Sequence, residues 1–316
     1  MAVYNFGSIN IDHVYKVPHF VTPGETLSST HYEKILGGKG ANQSVACAKA
    51  GLTTFHVGSI HQNDEAMLEV MQRANVDLSL VNRQSQTASG HAIIQVNKEG
   101  ENAIFLYGGA NHLLSQERIE SILDKAKKDD WVLLQNETNC VQDIIDIAYD
   151  KGINIAFNPA PMTDNIANID LSKLSLLIVN EVEAMQLSQT DNIEAAKDVL
   201  KDLSEKTQVV LTLGKQGAIF LSSSAASNAQ IQVSAFKVEA VDTTAAGDTF
   251  IGFFLAQYIA YLSATADDAN KDTFAVKPIE NALKHACAAS AISVTRNGAA
   301  PSVPSMEEVQ DFLSKT

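Results

Sequence analysis

Cysteine and positive charge are both scarce in this chain of 316 residues. Its cysteines, Cys47, Cys140 and Cys287, are odd in number and lack metal-ligand spacing, which excludes a disulfide framework and a thiolate zinc site. Reduced thiols of a cytoplasmic protein are the expectation. Lysine and arginine total 23 against 37 acids, a formal net charge of −14. That sign opposes general attraction to nucleic-acid phosphates or anionic membrane surfaces. The longest apolar run, Ile251 to Leu262, is shorter than the ~20 residues a membrane-spanning helix needs. The opening "MAVYNFGSINID" has no basic region before an apolar core, so no signal peptide is expected. Also missing are the phosphate-loop spacing G-x-x-x-x-G-K-[ST], the full G-x-G-x-x-G pattern, internal repeats and an evident linker.

What is present is an alternation of strand-like and helix-like segments. "VYNFGSI", "TTFHVGSI", "DWVLLQNE", "INIAFNPA", "LSLLIVN" and "QVVLTLG" read as strands, several of them apolar throughout, as parallel strands covered on both faces are. Between them, Ile119, Ile122, Leu123 and Ala126 fall on one helical face behind a Ser115 N-cap. Residues 141–151 repeat the pattern with Ile144, Ile145 and Ala148 and stop at Gly152, and residues 192–204 do so with Ala196, Val199, Leu200 and Leu203. This succession predicts an α/β fold with helices on both sides of a mostly parallel sheet, and ligands at the carboxyl ends of the strands. Two regions, about 12–36 and 88–108, read instead as four short strands with turns at "TPGE" and "NKEGEN". The expectation is one main domain over 1–316 with a small inserted sheet, placed as a flap.

Five stretches carry chemistry. "GGKGAN" (37–42) opens an Ala-rich helix, where glycines permit close approach and free amides would face a ligand; the alternative is a tight turn with a surface lysine. In "GSINID" (7–12), Asn10 and Asp12 sit at the end of the first strand and point the same way, suiting adjacent sugar hydroxyls or forming an Asx turn. "NEVE" (180–183) pairs Asn180 with Glu183, as a helix cap or as holders of a hydrated Mg²⁺. "TLGKQG" (212–217) is either a hairpin turn or a place for a nucleotide. In "DTTAAGDTF" (242–250), Ala245, Ala246 and Gly247 leave the first amides of an apolar helix open as an anion hole, and Asp248 stands beside it. A carboxylate there is a positioned acceptor for the proton of an attacking hydroxyl, or a helix cap.

Taken together, "GGKGAN", "NPAP" (158–161), "NxxE" (180–183), "DTTAAGDTF" and "TRNGAAPSVP", with "GSIN", "TPGET" and "GANQ", resemble the ribokinase or pfkB family of carbohydrate kinases from about Asn5 to about Pro304. The resemblance implies a ribokinase-like three-layer α/β/α domain with a β-sheet lid that pairs with a second subunit's lid in a homodimer. It implies ATP-dependent phosphorylation of the 5-hydroxyl of D-ribose, the sugar held by residues matching Asn10, Asp12, Gly38, Lys39, Asn42 and Glu137, with Asp248 as base. ATP would lie along Asn180, Thr212, Gly214, Lys215, Gly217, Ala246 and Gly247, with Asn180 and Glu183 near Mg²⁺. A monovalent cation, usually K⁺, would be held at Asp242, Thr244, Ser293, Arg296, Gly298 and Ser302, several through backbone carbonyls. Cys287, near His285, stands where the family often has Asn or His by the adenine, and His61 replaces a common second glycine and reads as a surface or packing residue. Other substrates remain as alternatives: deoxyribose, fructose, a keto-deoxy sugar acid or a nucleoside. So does a non-catalytic sugar-binding protein. A nicotinamide-dependent dehydrogenase is opposed by the absent glycine fingerprint.

Overall fold

The computed structural model describes residues 1–203, 207–222, 229–265 and 276–316. Its strands are β1 (Ala2–Phe6), β2 (Asn10–Lys16), β3 (His31–Gly37), β4 (Thr53–His61), β5 (Val81–Gln84), β6 (Gly90–Val96), β7 (Asn102–Tyr107), β8 (Trp131–Gln135), β9 (Asn154–Asn158), β10 (Leu176–Asn180), β11 (Gln208–Thr212), β12 (Ala218–Ser222) and β13 (Ala229–Val233). The α-helices are α1 (Lys39–Lys49), α2 (Glu69–Arg73), α3 (Gln116–Leu123), α4 (Val141–Asp150), α5 (Glu181–Ser188), α6 (Ile193–Leu203), α7 (Ala246–Ala264), α8 (Val276–Ser293) and α9 (Met306–Ser314).

Among the described residues, nine strands form the main sheet in the order β13-β12-β11-β10-β9-β8-β1-β4-β5. Pairing is parallel from β5 through to β11, and β12 and β13 close the far edge as antiparallel strands. The period-two geometry of a strand sorts β8 between two cores: Trp131 and Leu133 pack toward α1, α7 and α8, while Val132 and Leu134 pack toward α3 and α4. The result is a three-layer α/β/α arrangement, so the apolar runs are apolar because both faces are covered. Four further strands make a separate sheet, β3-β2-β6-β7, with β6 and β7 turning across Asn97–Glu101.

Most boundaries follow the sequence reading, with Ser115 accepting from the Arg118 amide and Gly152 at a φ of 68°. Three details differ. Val199 is exposed on α6, whose buried face is Ala196 and Leu200, and Ser204 lies outside the described residues. Asn10 and Asp12 belong to the small sheet, because β1 ends at Phe6 and the chain leaves the main sheet at Gly7. The apolar-polar alternation of "IQVSAFKVEAV" (231–241) suggests a strand running up to "DTTAAGDTF", but β13 ends at Val233 and residues 234–241 run on outside the ladder.

The long helix α7 lies against α1 at Gly252, where a Cβ would come within 2.6 Å of the Ala46 carbonyl carbon and the Cys47 amide nitrogen. Neither backbone atom can move aside without shifting α1. Gly252→Val is therefore expected to destabilise the fold by about 3 kcal/mol, read from the denaturant midpoint. A midpoint equal to the parent's would show that the two helices are not in such close register.

Candidate active site

The chain turns from β3 into α1 through Gly38, at a φ of 92°. The first amides of α1 are already taken: Lys39 N–H donates to Glu137 Oε2 at 2.9 Å, and Gly40 N–H to Ser8 Oγ at 3.1 Å. The Ser8 hydroxyl in turn donates to Glu137. The expectation of free amides at "GGKGAN" is thus corrected, because Glu137, from the loop after β8, fills that end of the helix. What α1 offers to a ligand is its side chains. Lys39 lies among Asp248, Glu137 and Glu183; burial alone would pull its ammonium down, but these carboxylates outweigh it and hold it above the ordinary lysine value. Burial pushes Glu137 and Glu183 up, while Ser8, the Lys39 amide and ammonium, and the Asn180 amide work in the other direction.

Asp12 faces this cluster from β2. Burial, reinforced by the negative Glu137, raises its carboxyl to about 6. A Cβ at Gly37, which pairs with Asn10 across the ladder, would collide with that carboxylate, so glycine there keeps the position open. Asn10 is held by Asn111, whose Oδ1 accepts from the Ile9 amide at 2.9 Å and whose Nδ2 donates to Asn10 Oδ1 at 2.7 Å. A backbone N–H can only donate, so this pair orients Asn10 with its own NH₂ away from Asn111.

Asp248 is buried in the first turn of α7. Its Oδ2 accepts from Asn42 Nδ2 at 3.0 Å and its Oδ1 from Gln43 Nε2 at 2.9 Å. The N-cap Ala245 has a φ of 59°, and the Ala246 amide turns back to the Thr243 carbonyl. Among the described contacts, the Gly247 and Asp248 amides have no protein acceptor, in contrast to the filled end of α1. A Cβ on Gly247 would meet nothing within 4 Å. Two open amides with the helix dipole behind them, beside a carboxylate, form an anion site next to a proton acceptor.

Two cavities meet at this helix end. One, of about 240 Å³, is lined by Lys39, Asn158, Asn180, Glu183, Thr212, Thr243 and residues 245–248. The other, of about 430 Å³, is lined by Thr212, Gly214, Lys215, Gly217, Phe236, Val238, Phe250, Cys287, Ser290 and neighbouring residues. Thr212, Thr243, Ala246 and Gly247 line both, so they join into one cleft. Asn180 and Glu183 form a full capping box on α5, with both bonds at 2.9 Å, and the cap uses Glu183 Oε2. "TLGKQG" is indeed the turn between β11 and β12, and it also lines the larger cavity. Burial pushes the Cys287 thiol up to about 12, so it presents a neutral surface there. His285 is half-buried and contacts the Asn281 carbonyl, and His61 accepts from the Asn63 amide.

Beside α7, Asp242 Oδ1 accepts from the Thr244 amide and Oδ2 from the Gly298 amide, each at 2.9 Å. Burial would raise this carboxyl, but the hydrogen bonds from Thr244 and Gly298 outweigh it and hold it low. Ser293 and Ser302 share a hydroxyl contact at 2.8 Å, and the Arg296 guanidinium pairs with Glu308 at 2.6 Å. A guanidinium has no lone pair to give, so Arg296 can offer a cation only its backbone carbonyl. Among the described residues no group of three His, Cys, Asp or Glu could hold a metal ion, and no helix is long and apolar enough to cross a membrane.

Sequence reasoning did not single out Ser8, Gln43, Asn111, Gln135, Asn158 or Thr243, nor the cavity wall at 235–240. Ser8, Gln43, Asn158 and Thr243 lie inside the quoted motifs, which was the available signal. Gln135 and Asn111 carry no motif.

The chain matches the model of the pfkB family of carbohydrate kinases over residues 2–306. It is 34% identical to a ribokinase of Haemophilus influenzae, covering 97% of this chain and 96% of that protein. It is 30% identical to a deoxyribokinase of Salmonella typhimurium, covering 99% of each. The structure of Arabidopsis thaliana ribokinase complexed with ribose and ATP superposes with a TM-score of 0.80 at 25% identity, covering 99% of both chains. The chain belongs to the pfkB family and is a sugar kinase of the ribokinase type.

Proposed function

We propose that this sugar kinase transfers the γ-phosphate of ATP to the 5-hydroxyl of D-ribose, with Asp248 as the catalytic base. The observation that carries the reading is the meeting of a pinned Asp248, two open helix amides and two joined cavities at one point. The small sheet closes over the sugar as a lid. Asp12 and Glu137 accept from sugar hydroxyls, while Asn10 and Lys39 donate. Gly38, at a positive φ, makes the turn that brings Lys39 to the sugar, and Asn42 steadies Asp248. The adenine occupies the apolar cavity beside Cys287, with the phosphates along Thr212, Gly214, Lys215 and Gly217. Asp248 orients the 5-hydroxyl for in-line attack and takes its proton late, which needs a placed acceptor rather than a strong base. The Gly247 and Asp248 amides receive the charge growing on the transferred group.

The donor set suits the two ions the family implies. Glu183 keeps Oε1 outside its cap, and with Asn180 it would bind Mg²⁺ through waters and nucleotide phosphates. Asp242 retains a lone pair on each oxygen, and with Ser293, Ser302 and the carbonyls of Thr244, Arg296 and Gly298 it would hold K⁺. Bound, these ions neutralise the nucleotide phosphates and fix the loop that bears the amides. Two copies would pair through their lids, whose β7 exposes Ile104, Phe105, Leu106 and Tyr107; an uncovered edge strand of that kind invites pairing. Unpaired thiols fit a cytoplasmic setting.

A second reading, 2-deoxyribose as substrate, is favoured by the deoxyribokinase relative. The test is ATP-dependent turnover of ribose, 2-deoxyribose, fructose, a 2-keto-3-deoxy sugar acid and adenosine, in KCl or in tetramethylammonium chloride of equal ionic strength. Ribose is expected to have the highest kcat/KM, with turnover greater in KCl. Preference for another sugar would overturn the substrate, and no dependence on KCl would overturn the cation site.

A further inference from the structure

Beneath Asp248 runs a chain of buried side-chain amides that the proposed reaction does not itself use. Gln43 Nε2, which donates to Asp248 Oδ1, also reaches Asn158 Oδ1 at 3.3 Å. Gln43 Oε1 accepts from Gln135 Nε2 at 2.7 Å, and the same Gln135 nitrogen donates to Asn5 Oδ1 at 2.9 Å. Asn5 Nδ2 then donates to the Gly40 carbonyl and to Ser44 Oγ, each at 2.8 Å.

The far end of the chain dictates its polarity. A backbone carbonyl only accepts, so Asn5 must turn its nitrogen to Gly40 and its oxygen to Gln135. Gln135 must then present its NH₂, which turns the Gln43 oxygen inward and the Gln43 NH₂ toward Asp248. A flipped Gln43 would set oxygen against carboxylate and NH₂ against NH₂, two repulsions in a medium of low dielectric. We propose that Gln43, locked in one orientation by Gln135 and Asn5, is a positioning residue that fixes the plane of the Asp248 carboxylate. Asn42 grips the other oxygen, and the pair together prevents rotation. This inference rests on Asp248 being the base.

The test compares kcat, KM and pH profiles of Gln43→Met, Gln43→Glu and Gln135→Met with the parent and with Asp248→Asn. Gln43→Met is expected to lower kcat by about 10- to 100-fold through misplacement of the carboxylate, with KM for ATP unchanged. In Gln43→Glu two adjacent carboxyls share a proton, so the acidic limb of the kcat profile moves up by about one unit or more. Gln135→Met touches neither Asp248 nor the cleft, yet by freeing Gln43 to flip it is expected to cost about 3- to 10-fold in kcat. It carries the test if a Gln43 variant fails to fold. Folded variants with parental kcat and an unmoved acidic limb, beside an inactive Asp248→Asn, would overturn the positioning role and leave the base standing. Lowered thermal stability with intact kcat would do the same. An active Asp248→Asn would overturn the base reading, and this inference with it.

Discussion

Asp248→Asn is expected to lower kcat by about 100- to 10,000-fold, the range lost with a positioned general base. The substitution keeps the size of the side chain and removes one acceptor charge. KM for ATP should change little, because the cavity proposed for the nucleotide is lined by the other side of the helix end and by the β11–β12 turn. The substituted amide would keep one oxygen for either Asn42 or Gln43, but its NH₂ would face the NH₂ of the other. Some loss of stability should accompany the loss of rate. Steady-state kinetics with ribose and ATP, beside a denaturation curve, separate the two. Retained turnover in a folded variant would remove Asp248 from the chemistry.

The second large effect concerns Asp12 and has opposite signs for stability and for sugar binding. Its carboxyl titrates at about 6 in the fold, chiefly from burial and then from Glu137, against about 4 in an unfolded chain. An acid raised on folding costs stability once it must ionise. The penalty is absent below the unfolded value, grows as pH rises through the interval, and is complete above about 6, where it reaches about 3 kcal/mol. Asp12→Asn should therefore stabilise the protein at neutral pH and flatten its stability between about pH 4 and 6. The same change removes a charged acceptor from the sugar, and KM for ribose should rise about 10- to 100-fold. In the parent, KM for ribose should climb as pH falls below about 6, where Asp12 takes up its proton. On the proposed reading, such a residue is kept for binding at the expense of stability. A destabilised Asp12→Asn variant, or one with parental KM, would contradict the account.

The layered sheet was legible because its central strands, such as β8 and β10, are apolar on both faces, and most of the longer α-helices carry their buried residues at helical spacing. The place of Asp248 in the first turn of an apolar helix was legible too, since the small residues before it mark the helix start. The misplacement of Asn10 and Asp12 has a physical cause. Ile9 and Ile11 are as buried as the residues of β1, so the apolar pattern runs on while the backbone changes sheets. The chain leaves where Gly7 packs on Gly40, a contact between distant segments with no local mark. The same is true of the occupied amides of α1, which Glu137 reaches from the far side of the small sheet's insertion. Gln43, Gln135 and Asn5 sit on three different elements, and only the assembled fold shows that their amides form one chain. Local chemistry can be read from neighbouring letters; polarity handed from one element to another cannot.

The most direct measurement is phosphorus NMR of the product formed from ribose and ATP by the purified protein. The account predicts a phosphate monoester resonance split into a triplet by the two hydrogens on C5, formed by the parent and lost with Asp248→Asn. A doublet from an ester at another carbon, or no ester from ribose at all, would contradict it.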